Sequence, residues 1–345
     1  MSSDPVADDV RRVFGDIGEL AERLRARRLE PVVQPLRRAE AEDAVLAAAR
    51  RERERVVTAG IEGLAKLARG RDDELDDTER FGLRAIVLLE GRPALLVQDG
   101  DFGRPPHEWA RLGAAREGIQ AVIARCGRID VTGHLELDWL GTACLVAPGV
   151  VMTNQHVAAE FCARTGGRWT FRPHVTPRVD FLGEHGRSAA LEFTITEVIG
   201  VHEDHDLALL RVESASADGR ALPDPLPVAA TAPSDLAGRD VYVVGYPAWD
   251  GRRNEPEPIR RIFLDVFNVK RLLPGRTVGY STMYSALEHD CSTLGGNSGS
   301  PVVDLETHRI LGLHFGGRYG AGNYAVPLWK LADDALLRVG RVNFQ

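Results

Sequence analysis

A serine stands between glycines in the segment Gly295–Pro301, and apolar residues follow it. Glycine permits the backbone dihedrals of a tight turn, which would expose the hydroxyl of Ser298. The same turn would leave the N–H groups of Gly296 and Ser298 free to stabilise a tetrahedral oxyanion, typically the largest single catalytic term. Because the serine leads into a strand rather than a helix, the pattern disfavours the nucleophile elbow of an α/β-hydrolase. Taken alone, the pattern is also that of an ordinary β-turn.

A serine hydroxyl becomes a good nucleophile only when a base removes its proton. The candidate base is His156, which follows the apolar run 150–153, although a lone histidine there is more often structural. Asp206 is the candidate orienting group, because it directly precedes the apolar run 207–210 and its carboxylate could be held beside an imidazole. We therefore predict a catalytic triad of His156, Asp206 and Ser298.

The first part of the chain has the hydrophobic spacing of helices. Apolar residues recur at three- and four-residue steps over 6–24, which predicts one amphipathic helix. A second helical run extends to Gly70 and contains the charged run 50–55, which would be a solvated face or a partner-docking face. We expect residues 1–80 to form a helical regulatory or docking region.

Strand patterns begin after this region. The apolar runs 85–89 and 94–97 predict a hairpin, and a short helix should follow, so that residues 81–128 form a connector packed on the next domain. Over 129–345, short apolar runs alternate with Gly, Pro and Asp turns, which is typical of an all-β barrel or sandwich. The predicted fold class is therefore mainly β.

Three segments resemble those of bacterial trypsin-like serine peptidases. Residues 141–157 resemble the histidine segment, residues 206–210 the aspartate segment, and Gly295–Pro301 the serine segment. The resemblance covers roughly residues 129–337. It implies two antiparallel six-stranded β-barrels with the triad between them, and hydrolysis of peptide bonds through an acyl-enzyme.

Two departures from that family affect the expectations. Asn297 stands where trypsin has an aspartate that pairs with a newly cut amino terminus, so that mode of activation is not expected. No cysteine comes directly after His156, so the disulfide of secreted members is missing, and we expect Cys144 and Cys162 to remain thiols. Both departures are typical of an intracellular branch.

Residues 291–298 and 312–317 resemble the corresponding segments of the bacterial glutamyl endopeptidases. In that family the residues matching Thr293 and His314 hold an acidic substrate side chain, which suits charge-assisted hydrogen bonds. Ser292 stands where trypsin is acidic, so a cationic substrate side chain would find no partner. Alternatively, His314 is a packed residue of the sheet. Gly316 and Gly317 lie beside a strand that could pair with the substrate backbone. The predicted substrate-binding residues are therefore Ser292, Thr293, His314, Gly316 and Gly317.

Composition narrows the function classes. Among 345 residues, 43 are Lys or Arg and 50 are Asp or Glu, so the net charge of −7 gives no basic field for nucleic acid.

No stretch of roughly 18 apolar residues and no secretion signal is present, so we expect a cytoplasmic protein without membrane contact. The four cysteines have no C-x-x-C spacing, and no metal or nucleotide motif is present, so no cofactor is expected. His202 and His205, close to Asp206, are expected to lie on a loop.

The leading hypothesis is an intracellular serine endopeptidase that acts on protein or peptide substrates, with a regulatory protein bound through the N-terminal helices. One alternative is a catalytically silent, protease-like module that binds peptides. Another is that the N-terminal helices carry the main function as an oligomerising or adaptor scaffold.

Overall fold

The computed structural model describes residues 4–26, 40–248, 266–318 and 322–345. The chain divides into two compact units. The first contains the described residues of 1–95, 103–110 and 251–266, and the second those of 96–102, 111–250 and 267–345. The division into regulatory, connecting and protease regions at residues 80 and 128 stays a prediction.

The first unit is helical. Its helices are α1 (Pro5–Val13), α2 (Ile17–Ala26), α3 (Glu40–Leu67) and α4 (Asp77–Ile86). Their apolar faces form one core, in which Val10, Leu24, Leu64 and Leu83 are buried. No helix in the described part of the chain is long and apolar enough to cross a membrane.

The single helix predicted over residues 6–24 is wrong, because the chain breaks between α1 and α2. Phe14 takes extended dihedrals, with φ −115° and ψ 126°, and buries its ring in the helical core. Asp16 then accepts a hydrogen bond from the N–H of Glu19 at 2.8 Å, which makes it the N-cap of α2. The apolar spacing continues across the break, so it did not reveal the new helix start.

The predicted hairpin between residues 85–89 and 94–97 is also wrong in its first arm. Asp76 and Glu79 form a reciprocal capping box that starts α4, and this helix runs through Ile86 into a π-helical turn, Val87–Gly91. Strand β1 (Leu95–Gln98) instead pairs with β2 (Asp101–Phe102). A short apolar run fits a buried helix as well as a strand, so hydrophobicity alone could not distinguish them.

Six antiparallel strands of the second unit form a first closed barrel, which follows α5 (Arg116–Ile123) in the chain. In chain order the strands are β3 (Cys126–Thr132), β4 (Trp139–Ala147), β5 (Val150–Thr153), β8 (Thr176–Asp180), β9 (Glu192–Val201) and β10 (Ala208–Val212). The short helix α6 (Gln155–Ala158) and a separate hairpin of β6 (Cys162–Thr165) and β7 (Arg168–Phe171) lie between β5 and β8. Leu145, Val151, Phe161, Phe193 and Leu210 fill its core.

A second six-stranded barrel follows and closes through the pairing of its first two strands. They are β11 (Asp240–Gly245), β12 (Arg271–Ser281), β13 (Ala286–His289), β14 (Pro301–Asp304), β15 (Ile310–Arg318) and β16 (Gly322–Pro327). Strands β1 and β2 extend this sheet beyond β12, and α7 (Ala335–Val339) lies near the end of the chain. The predicted fold of two six-stranded barrels with N-terminal helices is confirmed.

The four cysteines are all buried, and none of them forms a disulfide. Cys126 and Cys144 lie opposite each other on β3 and β4. Burial raises the pKa of the Cys126 thiol to about 12 and that of Cys162 to about 11. These thiols are therefore protonated and weakly nucleophilic at neutral pH.

Candidate active site

His156 and Asp206 meet at one end of the first barrel. His156 is in α6, directly after β5, and Asp206 is in the loop between β9 and β10. The Nδ1 atom of His156 lies 2.6 Å from Oδ2 of Asp206, and the backbone N–H of His156 donates to Oδ1 at 3.0 Å. Because an ionised carboxylate only accepts hydrogen bonds, Nδ1 carries the proton and Nε2 is left as a basic nitrogen.

Asn154 also holds the aspartate loop, although the sequence analysis did not single it out. It is fully buried just before α6, and its Nδ2 donates to the backbone carbonyl of Asp206 at 2.8 Å. The same short segment therefore carries both His156 and the side chain that holds the Asp206 loop. The only sequence feature that could have indicated this role is the position of Asn154 two residues before His156.

The residues before Ser298 form a tight turn. The N–H of Asn297 donates to the carbonyl of Leu294 at 3.3 Å, and Gly296 has φ +84°, as in a type II turn. A Cβ at Gly296 would overlap the carbonyl oxygen of Tyr246 and lie 2.5 Å from the ring of Trp139, so space as well as φ requires glycine. Among the described residues, none accepts a hydrogen bond from the N–H of Gly296 or of Ser298. Both predicted oxyanion donors are thus uncommitted.

The serine turn packs against the segment that carries His156. The N–H of Thr142 on β4 donates to the carbonyl of Ser298 at 2.8 Å. At Gly141, a Cβ would lie 3.0 Å from that same carbonyl oxygen and 3.0 Å from a methyl of Val157, the residue after His156. The Ser298 hydroxyl makes no hydrogen bond to any residue that the structure describes, and catalytic hydrogen bonds are often long before substrate binds.

Asn297 fills the position behind the turn with a neutral amide. Its side chain is buried, and Nδ2 donates to the carbonyl of Leu294 at 3.3 Å. Its Oδ1 atom and the Oγ atom of Ser300 are both buried without a hydrogen-bond partner in the described part of the chain. Both atoms border Gly245, where a Cβ would lie 2.5 Å from Asn297 Oδ1.

His314 lies on β15 as a buried residue, next to a second buried histidine. Its Nδ1 is 3.2 Å from Nε2 of His289 on β13. Burial lowers the pKa of His314 to about 3, with a further decrease from the charge of His156 and an opposing hydrogen bond to the Tyr324 backbone. Burial likewise lowers the pKa of His289. Two neutral imidazoles therefore face each other, and His314 also lies close enough to His156 for the charge of His156 to affect its pKa.

The other predicted pocket residues lie on two connected segments. Gly316 and Gly317 pair with Tyr324 and Asn323 on β16, and a Cβ at Gly316 would meet no atom within 4 Å, so that face of the strand is open. The side chain of Asn323 donates to the carbonyl of Cys291 at 2.7 Å, which ties β16 to the half-buried residues Ser292 and Thr293. The sequence did not indicate this tie.

The remaining histidines do not assemble a metal centre in the part of the chain that the structure describes. No group of three or more His, Cys, Asp and Glu side chains lies together there as possible metal ligands. His202 and His205 lie in the loop that carries Asp206.

The sequence signature of the trypsin-like peptidase domain matches residues 141–313, half of the chain. The chain belongs to the trypsin-like peptidase family. This match spans the positions of all three predicted triad residues. No curated protein was found to match the sequence.

Several solved proteases match this trypsin-like chain at low sequence identity. The Rv3671c protease from M. tuberculosis in its active form is 22% identical, with a TM-score of 0.40 over 64% of this chain and 82% of that one. The serine endoprotease from Yersinia pestis is 16% identical, with a TM-score of 0.43 over 65% and 66%. The HtrA-type protease AlgW, solved with a decapeptide, is 14% identical, with a TM-score of 0.43 over 66% and 67%.

Proposed function

We propose that this trypsin-like chain is a serine endopeptidase with His156, Asp206 and Ser298 as its triad. The observation that carries the proposal is the two-point contact between His156 and Asp206, at 2.6 and 3.0 Å. It fixes the imidazole tautomer and can stabilise the imidazolium that forms when Nε2 takes a proton.

The reaction follows from these assignments. Ser298 Oγ attacks the substrate carbonyl carbon while its proton passes to Nε2 of His156, and the N–H groups of Gly296 and Ser298 stabilise the oxyanion. The C–N bond then breaks, and His156 gives its proton to the leaving amine. A water molecule hydrolyses the resulting ester in the same way, which releases the acid product and restores the Ser298 hydroxyl.

A fluorophosphonate probe tests this function without knowledge of the substrate. We expect it to label the wild-type chain and not the Ser298→Ala variant. Ser300→Ala is the matched control, because Ser300 lies two residues away but is buried, and its removal should leave labelling intact. Absence of labelling in folded wild-type protein would instead favour a silent peptide-binding module.

We further propose a preference for Glu or Asp before the scissile bond. His314 and Thr293 would supply the polar groups, and Ser292 offers no negative charge to attract Arg or Lys. His314 is neutral in the free protein, but an incoming carboxylate would raise its pKa and strengthen a hydrogen bond to it. The carboxylate of a bound substrate would thus create the charged form that binds it.

Four peptides that differ only in Glu, Asp, Leu or Arg at this position test the preference. We expect kcat/KM to be highest for one of the acidic peptides, by about tenfold or more if one charge-assisted hydrogen bond discriminates. His314→Leu should abolish most of that advantage while the Leu peptide is cleaved as before. Faster cleavage of the Leu or Arg peptide by wild-type protein would reject the preference.

The helical unit is proposed to be a regulatory region that docks a protein partner, in a protein that works inside the cell. Its separate core supports an independent role, and four cysteines that form no disulfide suit a reducing compartment. Comparing probe-labelling rates and molecular size for the full chain and a chain that starts near residue 94, after α4 and the π-helical turn, tests regulation. Equal rates and equal oligomeric states would argue against it.

A further inference from the structure

The carboxylate of Asp206 depends on its loop for its position. Within the described residues, both hydrogen-bonding contacts of this carboxylate are to His156, one to Nδ1 and one to the backbone N–H. A charged side chain with no other anchor is placed by its backbone. The conformation of the loop 202–207, which joins β9 to β10, therefore decides whether Asp206 meets His156.

A histidine side chain shapes this loop. The Nδ1 atom of His202 accepts hydrogen bonds from the N–H groups of Asp204 at 3.0 Å and His205 at 3.1 Å. The backbone N–H of His202 donates to the carbonyl of Leu207 at 2.9 Å and closes the loop across its base. One imidazole nitrogen thus holds the two residues that precede Asp206.

The other side of the same ring faces the C-terminal helix. The Nε2 atom of His202 lies 3.4 Å from Oδ2 of Asp334, and only 11% of the His202 side chain is exposed. Asp334 is itself fixed, because its Oδ1 accepts from the N–H groups of Leu336 and Leu337 as the N-cap of α7. Since Nδ1 accepts two donors, the proton of a neutral ring is on Nε2 and points toward an anion.

We propose that His202 is a positioning residue of the triad, which acts through Nδ1 on the loop that carries Asp206. This inference rests on the proposed endopeptidase function. It goes beyond it by assigning a task to a side chain that touches neither Ser298 nor His156 in any hydrogen bond. Its two ring nitrogens have separable roles, with Nδ1 setting the loop and Nε2 anchoring the ring to α7.

A second histidine in the chain provides a matched control for the role of His202. His134, in the turn between β3 and β4, accepts hydrogen bonds at Nδ1 from the N–H groups of Glu136 at 3.3 Å and Leu137 at 3.1 Å. Its Nε2 lies 3.5 Å from Oε2 of Glu160. This turn has the same histidine geometry but carries no triad residue, so His134→Leu controls for the general cost of losing such a contact.

Three substitutions at His202 separate the two nitrogens. His202→Asn keeps an acceptor close to Nδ1, because an asparagine oxygen accepts from the N–H groups two and three residues on. His202→Gln keeps a polar group near Asp334 but lacks that acceptor, and His202→Leu lacks both. We expect kcat to fall about 10- to 100-fold in the Leu and Gln variants, as a small misplacement of a catalytic group does. KM should stay within about threefold, and the Asn and His134→Leu variants should match wild type.

A spectroscopic readout does not depend on activity. The proton between His156 Nδ1 and Asp206, at 2.6 Å, should give a low-field ¹H NMR signal in wild type, in His202→Asn and in His134→Leu. We expect this signal to shift or disappear in His202→Gln and His202→Leu. If wild-type protein shows the signal but no probe labelling, the endopeptidase proposal fails while the positioning role is still tested.

Two outcomes would overturn the proposal. The first is an unchanged kcat and an unchanged low-field signal in folded His202→Gln protein. The second is a loss in His202→Asn as large as that in His202→Gln, which would show that the acceptor at Nδ1 is not what matters. His202→Gln is the decisive variant if His202→Leu does not fold, because it keeps a polar side chain in the partly buried position.

Discussion

The hydroxyl of Thr142 donates a hydrogen bond to the carbonyl of Gly296 at 3.0 Å, and it accepts one from the N–H of Tyr246 at 3.3 Å. Thr142 is a fully buried residue of the first barrel, whereas Gly296 belongs to the serine turn of the second. Together with its backbone bond to Ser298, this side chain sets the turn from the opposite barrel. The oxyanion donors therefore depend on a residue about 150 positions earlier in the sequence.

Thr142→Val should lower kcat about tenfold, because it leaves the partly buried carbonyl of Gly296 and the buried N–H of Tyr246 without their hydrogen-bond partner, at a cost of about 1–3 kcal/mol. The shape of the side chain is kept, so packing changes little. The rate of fluorophosphonate labelling measures the effect on the serine turn. Thr142→Ser keeps the hydroxyl and should label at nearly the wild-type rate, and equal rates for Val and Ser would show that the hydrogen bonds are unimportant.

Asp206→Asn should lower kcat by about 10⁴-fold with little change in stability. The amide has nearly the same size as the carboxylate, but its N–H₂ group facing Nδ1 would favour the wrong imidazole tautomer. Steady-state kinetics with any cleaved peptide measure this decrease in kcat. As a control, Asp204→Asn changes an exposed residue of the same loop whose side chain makes no contact with His156, and a loss comparable to that of Asp206→Asn would contradict the assignment.

Asn297→Asp should destabilise the protein in a pH-dependent way. A carboxyl buried there would face the Leu294 carbonyl, so its folded-state pKa would rise above the ordinary value. The penalty is then small below about pH 4 and grows to about 1–3 kcal/mol at pH 7, where the unfolded chain is ionised. Urea unfolding at pH 4.5 and 7.5 measures it.

The control for that change is Asn343→Asp, which alters an amide with an exposed hydrogen bond. Its penalty should be near zero at both pH values. A stabilising effect of Asn297→Asp at pH 7.5 would mean that a positive charge pairs with the new carboxylate.

His314 should make folding sensitive to mild acid. Its pKa is about 3 in the folded protein and about 6.5 when unfolded, so below pH 6.5 the unfolded chain binds a proton that the folded one excludes. Stability that is present above pH 6.5 is therefore lost as the pH falls toward 3, by about 2 kcal/mol at pH 5. Urea unfolding between pH 7 and 4.5 should show a shallower slope in His314→Gln than in wild type, and His107→Gln, at an exposed residue, should leave the slope unchanged.

The alternating apolar runs predicted only a mainly β fold, whereas the resemblance of three ordered motifs to the trypsin-like peptidases implied the two barrels. The same motifs led to the predicted pairing of His156 with Asp206. The sequence did not predict β3 as beginning at Cys126, because a strand and a helix of similar hydrophobicity look alike over a few residues. It did not predict the break at Phe14, because the apolar spacing continues from α1 into α2. Contacts of Thr142 and Asn323 with distant backbone atoms also had no local signal. Such contacts form only when segments that are distant in the sequence pack together, and the local sequence does not indicate that packing.

The four buried cysteine thiols can report local unfolding of the barrels. Cys126, Cys144 and Cys162 lie on β3, β4 and β6 in the first half of the second unit, and Cys291 precedes the serine turn. An alkylating reagent can reach each of them only after the surrounding strands separate. Mass spectrometry of the alkylated peptides would therefore give separate opening rates for the two barrels, with no added label.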